Sequence, residues 1–399
     1  MFNLNISLIN CRFSLLLLVG TILSVHAQQE IDIVRIADPT KRIPVSLEGY
    51  SGEVNSVLQF DLSVQGFKLV KKDQAYFVIT GKNTTRVEGR VVDANGNEVV
   101  SPRYYQNKSL RRQAHAWADD IVESLWALAG VETEGISKYR IAFKQSRQTG
   151  RSEIGISDFD GHSFYQITGD KSLVAAPTWA VGSRHLYYTS YYRNNPDIYL
   201  HDLSTGKRRE IARYPGLNTA PAVSPSGAKI AMILSKGGSP DLYVANADGS
   251  NLARLTKTKA IESSPCWSPD GKTLCYVSNK DGAARLYTIP AKGGSPSRLR
   301  TTGIVTGYEP DWSPDGKQIA FTTSRGGGRF GICIVPATGG VAEELVQGED
   351  PSWAPNSRTI VFTKRSRTGR SLSLLDAPSK HVKDVSKLSG SCSQPTWSK

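Results

Sequence analysis

The sequence predicts a multidomain protein: an N-terminal α/β domain followed by an all-β six-bladed β-propeller, closed by the C-terminal strand. Three observations predict this. A line built around Pro-x-Trp and Ser-Pro-Asp-Gly recurs through the second half of the chain. One strongly amphipathic helix and a clear hairpin precede it, and an apolar leader opens the sequence.

The leader comes first in order. Phe13–Val25 is almost wholly apolar, Arg12 is the only charge ahead of it, and Val25-His26-Ala27 places small residues at its exit. This is the pattern of a secretory signal peptide, with cleavage expected after Ala27. The run is short for a bilayer span, which needs about 20 residues. Cys11 precedes it, so no lipoprotein anchor is expected. No second apolar run is long enough to span a bilayer, so the remainder is expected to be soluble.

The N-terminal α/β domain is assigned to residues 28–130. Ile43-Pro44-Val45 reads as a strand. Ser56–Leu62 has apolar residues at helical spacing and stops near Gly66. Ala75–Thr80 reads as a strand. Val87–Val92 and Glu98–Val100 flank the turn sequence Asp93-Ala94-Asn95-Gly96-Asn97, a hairpin signal. Leu110–Leu128 aligns Trp117, Ile121 and Leu125 on one helical face, with Gly130 placed to stop the helix. Residues 131–138 form the linker.

The propeller is assigned to residues 139–399. Its repeats begin at Pro177, Pro221, Pro265, Pro310, Pro351 and Pro395, spaced 44, 44, 45, 41 and 44 residues apart. A four-stranded propeller blade takes about 40–50 residues. The Trp offers a broad surface for packing between blades. In Ser-Pro-Asp-Gly, Pro fixes one φ, Asp bonds its own backbone and Gly accepts a positive φ. A β-rich run follows each turn, as in Leu274-Cys275-Tyr276 and Ile319-Ala320-Phe321. Third strands such as Asp241-Leu242-Tyr243-Val244 and fourth strands such as Ala253-Arg254-Leu255-Thr256 complete a blade. The second-strand motif occurs six times if Arg140-Ile141-Ala142-Phe143 is included. The sixth Pro-x-Trp lies at Pro395-Thr396-Trp397. The first blade therefore takes its inner strand from the C-terminal residues, which closes the ring and removes open sheet edges.

Composition excludes other classes. The chain is basic, with a formal net charge of +13, which implies attraction to acidic partners. No dense Lys/Arg stripe or nucleic-acid module accompanies it, so nucleic acid is not an expected partner. Cys266, Cys275, Cys333 and Cys392 follow the leader without zinc spacing. Cys266 and Cys275 lie on two arms of one hairpin and can face each other, bonded or as two small buried thiols. No Gly-x-Ser-x-Gly elbow occurs. Asp158-Phe159-Asp160-Gly161 resembles a calcium loop only faintly and is better read as a hairpin turn. His185 and His201 have no metal-ligand spacing. No enzyme activity, cofactor or metal is expected.

Trp-Ser-Pro-Asp-Gly-type repeats after a leader and a small α/β domain resemble the TolB family, periplasmic Tol-Pal proteins with WD40-like repeats. Ile43-Pro44-Val45, Asp61-Leu62-Ser63-Val64-Gln65-Gly66-Phe67, Arg111-Arg112-Gln113-Ala114-His115 and Ala118-Asp119-Asp120-Ile121 carry the resemblance through the N-terminal domain. The third blade departs from it with Val223 in place of Trp, and the last full motif reads Ala-Pro-Asn-Ser. The resemblance implies a non-enzymatic periplasmic adaptor. It would bind a peptidoglycan-associated lipoprotein (Pal) at the propeller mouth and a TolA-like inner-membrane protein through its N-terminal segment. Its role would be to maintain outer-membrane integrity and invagination during division. The alternative is a generic secreted propeller binding peptides or glycans in its central channel.

Propeller geometry then selects residues. The loop before each inner strand and the loop after each second strand open on one face. Thr219, Ser263, Ser264, Tyr308, Glu309, Glu349, Asp350 and Gln394, with Ala176 and Ala220, are expected around the mouth. Tyr308-Glu309-Pro310 most resembles a partner-contacting segment of the family. Arg147, Arg193, Lys236, Lys280, Arg325 and Arg365 are expected as a basic collar outside it, either steering an acidic partner or merely solvating loops. The partner-facing N-terminal segment is expected at Gln29, Glu30, Ile31, Asp32, Ile33 and Val34, where apolar and polar residues alternate as in a strand added to a sheet edge. An ordinary first strand or tail is the other reading of that segment.

Overall fold

The computed structural model describes residues 38, 40–106, 109–182 and 184–399. The expected signal peptide and the segment Gln29–Val34 lie outside the described residues.

The N-terminal domain is a five-stranded sheet with two helices against it. Strand β1 is Ile43–Glu48, helix α1 Gly52–Val64, β2 Phe67–Leu69, β3 Phe77–Asn83, β4 Val87–Asp93, β5 Glu98–Tyr105 and helix α2 Leu110–Leu128. The sheet order is β2-β1-β3-β4-β5. β1 runs parallel to both its neighbours. The core joins Val54 and Leu58 of α1 and Trp117, Ile121 and Leu125 of α2 to Val45, Ile79 and Val91 of the sheet. The apolar face read from the sequence of α2 is thus the buried one. Ser109 caps α2 by accepting from the Arg112 N–H at 3.3 Å, and Gly130 follows its end at φ +70°. The strand expected at Ala75–Thr80 begins later, at Phe77. Lys72–Gln74 forms a short 3₁₀ turn whose Lys72 carbonyl takes the Ala75 N–H, which withdraws Ala75 from the sheet.

The propeller has six four-stranded sheets, each an antiparallel meander. In the fourth blade, Glu262–Trp267 pairs with Thr273–Ser278, which pairs with Arg285–Pro290, which pairs with Ser297–Arg298. Blade 1 is closed by the C-terminal strand Ser391–Trp397, with Thr396 opposite Ala142 and Trp397 opposite Ile141. The fourth strand expected at Ala253–Thr256 is only Ala253–Arg254.

The Trp of the repeat stitches as well as packs. Trp179, Trp267 and Trp397 donate their indole N–H to the carbonyls of Thr396, Ala222 and Ser352 on the preceding blade, at 3.1, 2.9 and 3.2 Å. The turn chemistry follows its sequence. Asp270 accepts from the Ser268 hydroxyl at 2.6 Å and the Lys272 N–H at 3.0 Å, while Gly271 takes φ +68°. Cys266 and Cys275 are cross-strand partners, buried, and both are free thiols.

The N-terminal domain docks on the Ser-Pro-Asp-Gly side of the ring, against blades 1 and 6. Phe60 of α1 meets Phe159 edge-on at 5.7 Å. Arg111 of α2 pairs with Asp160, and His115 lies 2.6 Å from Asp61 and 3.9 Å from Asp160. The Thr359 hydroxyl donates to the Val64 carbonyl at 3.1 Å, and the Arg358 guanidinium lies 4.1 Å from the Trp126 ring. Gly66 is required here: a Cβ would come within 2.6 Å of both Arg358 and Trp126. The linker is held too, with the Ile136 N–H donating to Gln65 and Ser137 bonding Asp119.

Candidate functional site

The inner strands surround a channel that holds a cavity of about 600 Å³. Each inner strand carries a β-bulge just before its proline. The bulged residue is left-handed in all six blades: Ala176 (φ +50°), Ala220 (+51°), Ser264 (+48°), Glu309 (+51°), Asp350 (+55°) and Gln394 (+52°). Such a backbone is costly for a residue other than glycine, and its sixfold recurrence makes it a built feature. All six residues line the cavity, so they sit within the channel wall, each inside a strand that begins earlier in the sequence.

Half of this ring is stitched by side chains. The Glu309 carboxylate accepts from the Asp350 N–H at 3.0 Å and the Thr322 hydroxyl at 2.8 Å. Asp350 accepts from the Gln394 N–H at 3.0 Å and the Thr363 hydroxyl at 2.9 Å. The Gln394 carbonyl oxygen accepts from the Ala176 N–H at 3.0 Å. Each acceptor thus holds the bulge of the next blade. Burial, reinforced by the nearby Asp350 charge, pushes the Glu309 carboxyl up to about 8. Burial also raises Asp350 and Asp311, the latter countered by Lys399. The acidic side chains of the channel wall are therefore held toward their neutral forms.

The eight residues expected at the mouth divide. Ser264, Glu309, Asp350 and Gln394 share the channel wall. Thr219, Ser263, Tyr308 and Glu349 stand one residue earlier on their strands and do not line the cavity. Thr219 shares a hydroxyl contact with Thr189 at 3.2 Å. Glu349 turns away and is bracketed by Arg365 and Arg370, at 2.5 and 2.7 Å.

The six collar residues are exposed, but their charges are largely engaged. Arg193 pairs with Glu210, Arg325 with Glu344 and Arg365 with Glu349. Lys236 lies over the Tyr214 ring at 3.9 Å and Lys280 over Tyr287 at 4.2 Å. Arg147 has no ion pair or ring contact among the described residues. At the other end of the channel, Glu134 of the linker, Tyr139 at the start of the propeller and Lys399 join Pro225, Pro269, Pro314 and Pro355. The mouth that faces away from these turns is also the face left clear by the N-terminal domain.

The stitching was missed from sequence, although Glu309, Asp350 and Gln394 occupy one repeat position in consecutive blades, which is its signal. Among the described residues no group of three or more His, Cys, Asp or Glu side chains is placed to hold a metal. No helix there is long and apolar enough to cross a membrane.

Residues 129–399 match the family model described as the TolB beta propeller domain. The chain belongs to this family. Its relatives include the Tol-Pal system protein TolB of Francisella tularensis subsp. tularensis (strain WY96-3418), 27% identical over 46% of this chain and 45% of that protein. The Alcanivorax borkumensis protein of the same description is 26% identical over 55% of this chain and 58% of its own length. The chain thus spans about half the length of the curated relatives it matches. The crystal structure of TolB from Acinetobacter baumannii superposes with a TM-score of 0.80, covering 90% of this chain and 97% of that one at 22% identity. That likeness extends the shared fold through the N-terminal domain.

Proposed function

We propose that this chain is a non-enzymatic periplasmic adaptor of the Tol-Pal type. It would bind a peptidoglycan-associated lipoprotein at the propeller mouth and a TolA-like inner-membrane protein through Gln29–Val34, and so support outer-membrane integrity and invagination during division. The observation that carries the reading is the ring of left-handed residues in a channel whose mouth the N-terminal domain leaves clear. The family membership and the Tol-Pal descriptions of the relatives support it.

A docked partner would cover the rim residues Thr219 and Ser263 before it reached the channel wall. Arg147, Lys236 and Lys280 are the collar cations without an ion pair among the described residues, so they are the ones available for steering, which acts mainly on association rate. Binding kinetics with a purified Pal-like lipoprotein domain test this. Ser263→Arg, which introduces bulk and charge at the rim, is expected to raise dissociation by about tenfold or more with the melting curve unchanged. Neutralising Arg147, Lys236 and Lys280 together is expected to slow association and flatten its salt dependence. Wild-type kinetics in both variants would remove this face as the site. Loss of TolA binding on deletion of residues 28–34 is the matching expectation for the N-terminal segment.

A further inference from the structure

The stitched ring is only half complete. Side-chain acceptors hold the N–H groups of Asp350, Gln394 and Ala176. The three other bulges follow Ala176, Ala220 and Ser264, whose side chains are too short to reach across to the next blade. Among the described residues no side chain accepts from the N–H groups of Ala220, Ser264 or Glu309. The blade-side hydroxyls are missing as well. Thr322 and Thr363 assist at Asp350 and Gln394, at 3.1 and 3.2 Å, but the matching second-strand positions at the Ser264 and Glu309 bulges are Ile233 and Val277. Thr189, the remaining counterpart, is turned to Thr219. The bulge takes these residues out of regular ladder pairing, and their shared left-handed backbone points each N–H as in the stitched half. The cavity of about 600 Å³ that runs along the ring reaches Ala220, Ser264 and Glu309.

We infer that this open half of the ring is a carboxylate-binding site, in which the N–H groups of Ala220, Ser264 and Glu309 are each placed to donate to an oxygen of a carboxylate entering along the channel. The occupied half is the template. A ligand carboxylate beside Ala220 or Ser264 would stand where the Glu309 and Asp350 carboxylates stand beside their neighbours. Backbone N–H groups presented by left-handed residues in a concave wall are an anion-binding arrangement. The raised Glu309 and Asp350 carboxyls of the stitched half favour their uncharged forms and so reduce repulsion of an acid. The source is a small organic acid or an acidic side chain of a protein inserted into the channel. The site goes beyond the adaptor reading and does not rest on it.

The test uses the isotope-labelled full chain and sodium acetate as the probe, with sodium chloride at matched ionic strength as the control. The amide resonances of Ala220, Ser264 and Glu309 are expected to shift along one saturating curve, while those of Ala176, Asp350 and Gln394 stay in place. An acidic peptide in place of acetate separates the sources. Affinity about tenfold above acetate assigns a protein side chain, and equal affinity assigns a small acid. Ser264→Glu places at that position the side chain that Glu309 already carries with the same backbone. It is expected to accept from the Glu309 N–H, weaken acetate binding by about tenfold or more and leave the melting temperature unchanged or higher. Ser264→Val, of similar size without an acceptor, is expected to titrate as wild type. Unmoved amides in the wild-type protein, equal shifts in all six bulges, or an unaltered titration in Ser264→Glu would overturn the inference. The wild-type titration needs no variant to fold and no lipoprotein, so its failure is separate from failure of the docking reading.

Discussion

Glu309 is a carboxyl group that the fold pushes toward its protonated form. Its ordinary value of 4.5 is raised to about 8 in the folded chain, chiefly by burial. Between these values the folded protein retains a proton that the unfolded chain has lost. Stability from this group is therefore greatest below about pH 4.5 and falls as pH rises toward about 8. Glu309→Gln keeps an oxygen for the Asp350 N–H and removes the titration. It is expected to flatten the decline in urea-unfolding stability between pH 5 and pH 8 and to exceed wild type at pH 8. An identical pH profile in the variant would contradict the enclosed setting of this carboxyl. Asp350→Ala acts differently, because it strips the acceptor from the Gln394 N–H and the Thr363 hydroxyl. A loss of about 1–3 kcal/mol is expected, and Asp350→Asn should recover most of it. The sequence identified these residues by their place before a proline. Their reach to the next blade depends on a positive φ and on the gap between blades, neither of which one repeat encodes by itself.

The closing strand shows what a repeat does reveal. Six recurrences at nearly constant spacing, with the last at Pro395-Thr396-Trp397, point to a first blade completed by the C-terminal residues, and in the structure Ser391–Trp397 pairs with Arg140–Gln148. Short elements were less legible. The outer strands shrink to two residues in blades 1, 3 and 4, since an edge strand gains pairing from one side only. Deleting residues 395–399 removes Trp397, which is 2% exposed, and its bond to Ser352. It also removes the register that covers Ile141 and Ala142. Loss of cooperative unfolding, aggregation, or both are expected from the exposed edge, read by calorimetry and light scattering. Trp397→Ala is the milder form, with a loss of about 3–5 kcal/mol. An unchanged melting curve for the truncated chain would refute closure as a source of stability.

At the scale of the whole molecule, the N-terminal domain docks on the blades that the closing strand joins. The link is Phe159, read from sequence only as part of a hairpin turn. The turn is there: the Gly161 N–H donates to the Asp158 carbonyl at 2.9 Å, and Gly161 takes φ +86°. Its side chains have a second role that turn chemistry could not disclose, because their partners are distant in sequence. The Phe159 ring, fully buried, meets Phe60 and His115 of the N-terminal domain at 5.7 Å and Trp397 of the closing strand at 6.4 Å. Docking and ring closure therefore share one side chain. Asp160 beside it neutralises Arg111, and both are largely enclosed. Asp160→Ala leaves that guanidinium without its buried partner, and the loss is expected near 3–5 kcal/mol. Phe159→Ala is expected to cost about as much through its cavity, but to weaken docking and closure together. The distinguishing measurement is a double-mutant cycle by urea unfolding. Because Phe159 and Trp397 touch, the combined loss in Phe159→Ala/Trp397→Ala should fall short of the sum of the single losses by about 0.5–3 kcal/mol. Phe60→Ala with Trp397→Ala, whose rings each pack on Phe159, should couple more weakly. Strict additivity of Phe159 with Trp397 would mean that the N-terminal domain and the closing strand are held to the propeller independently.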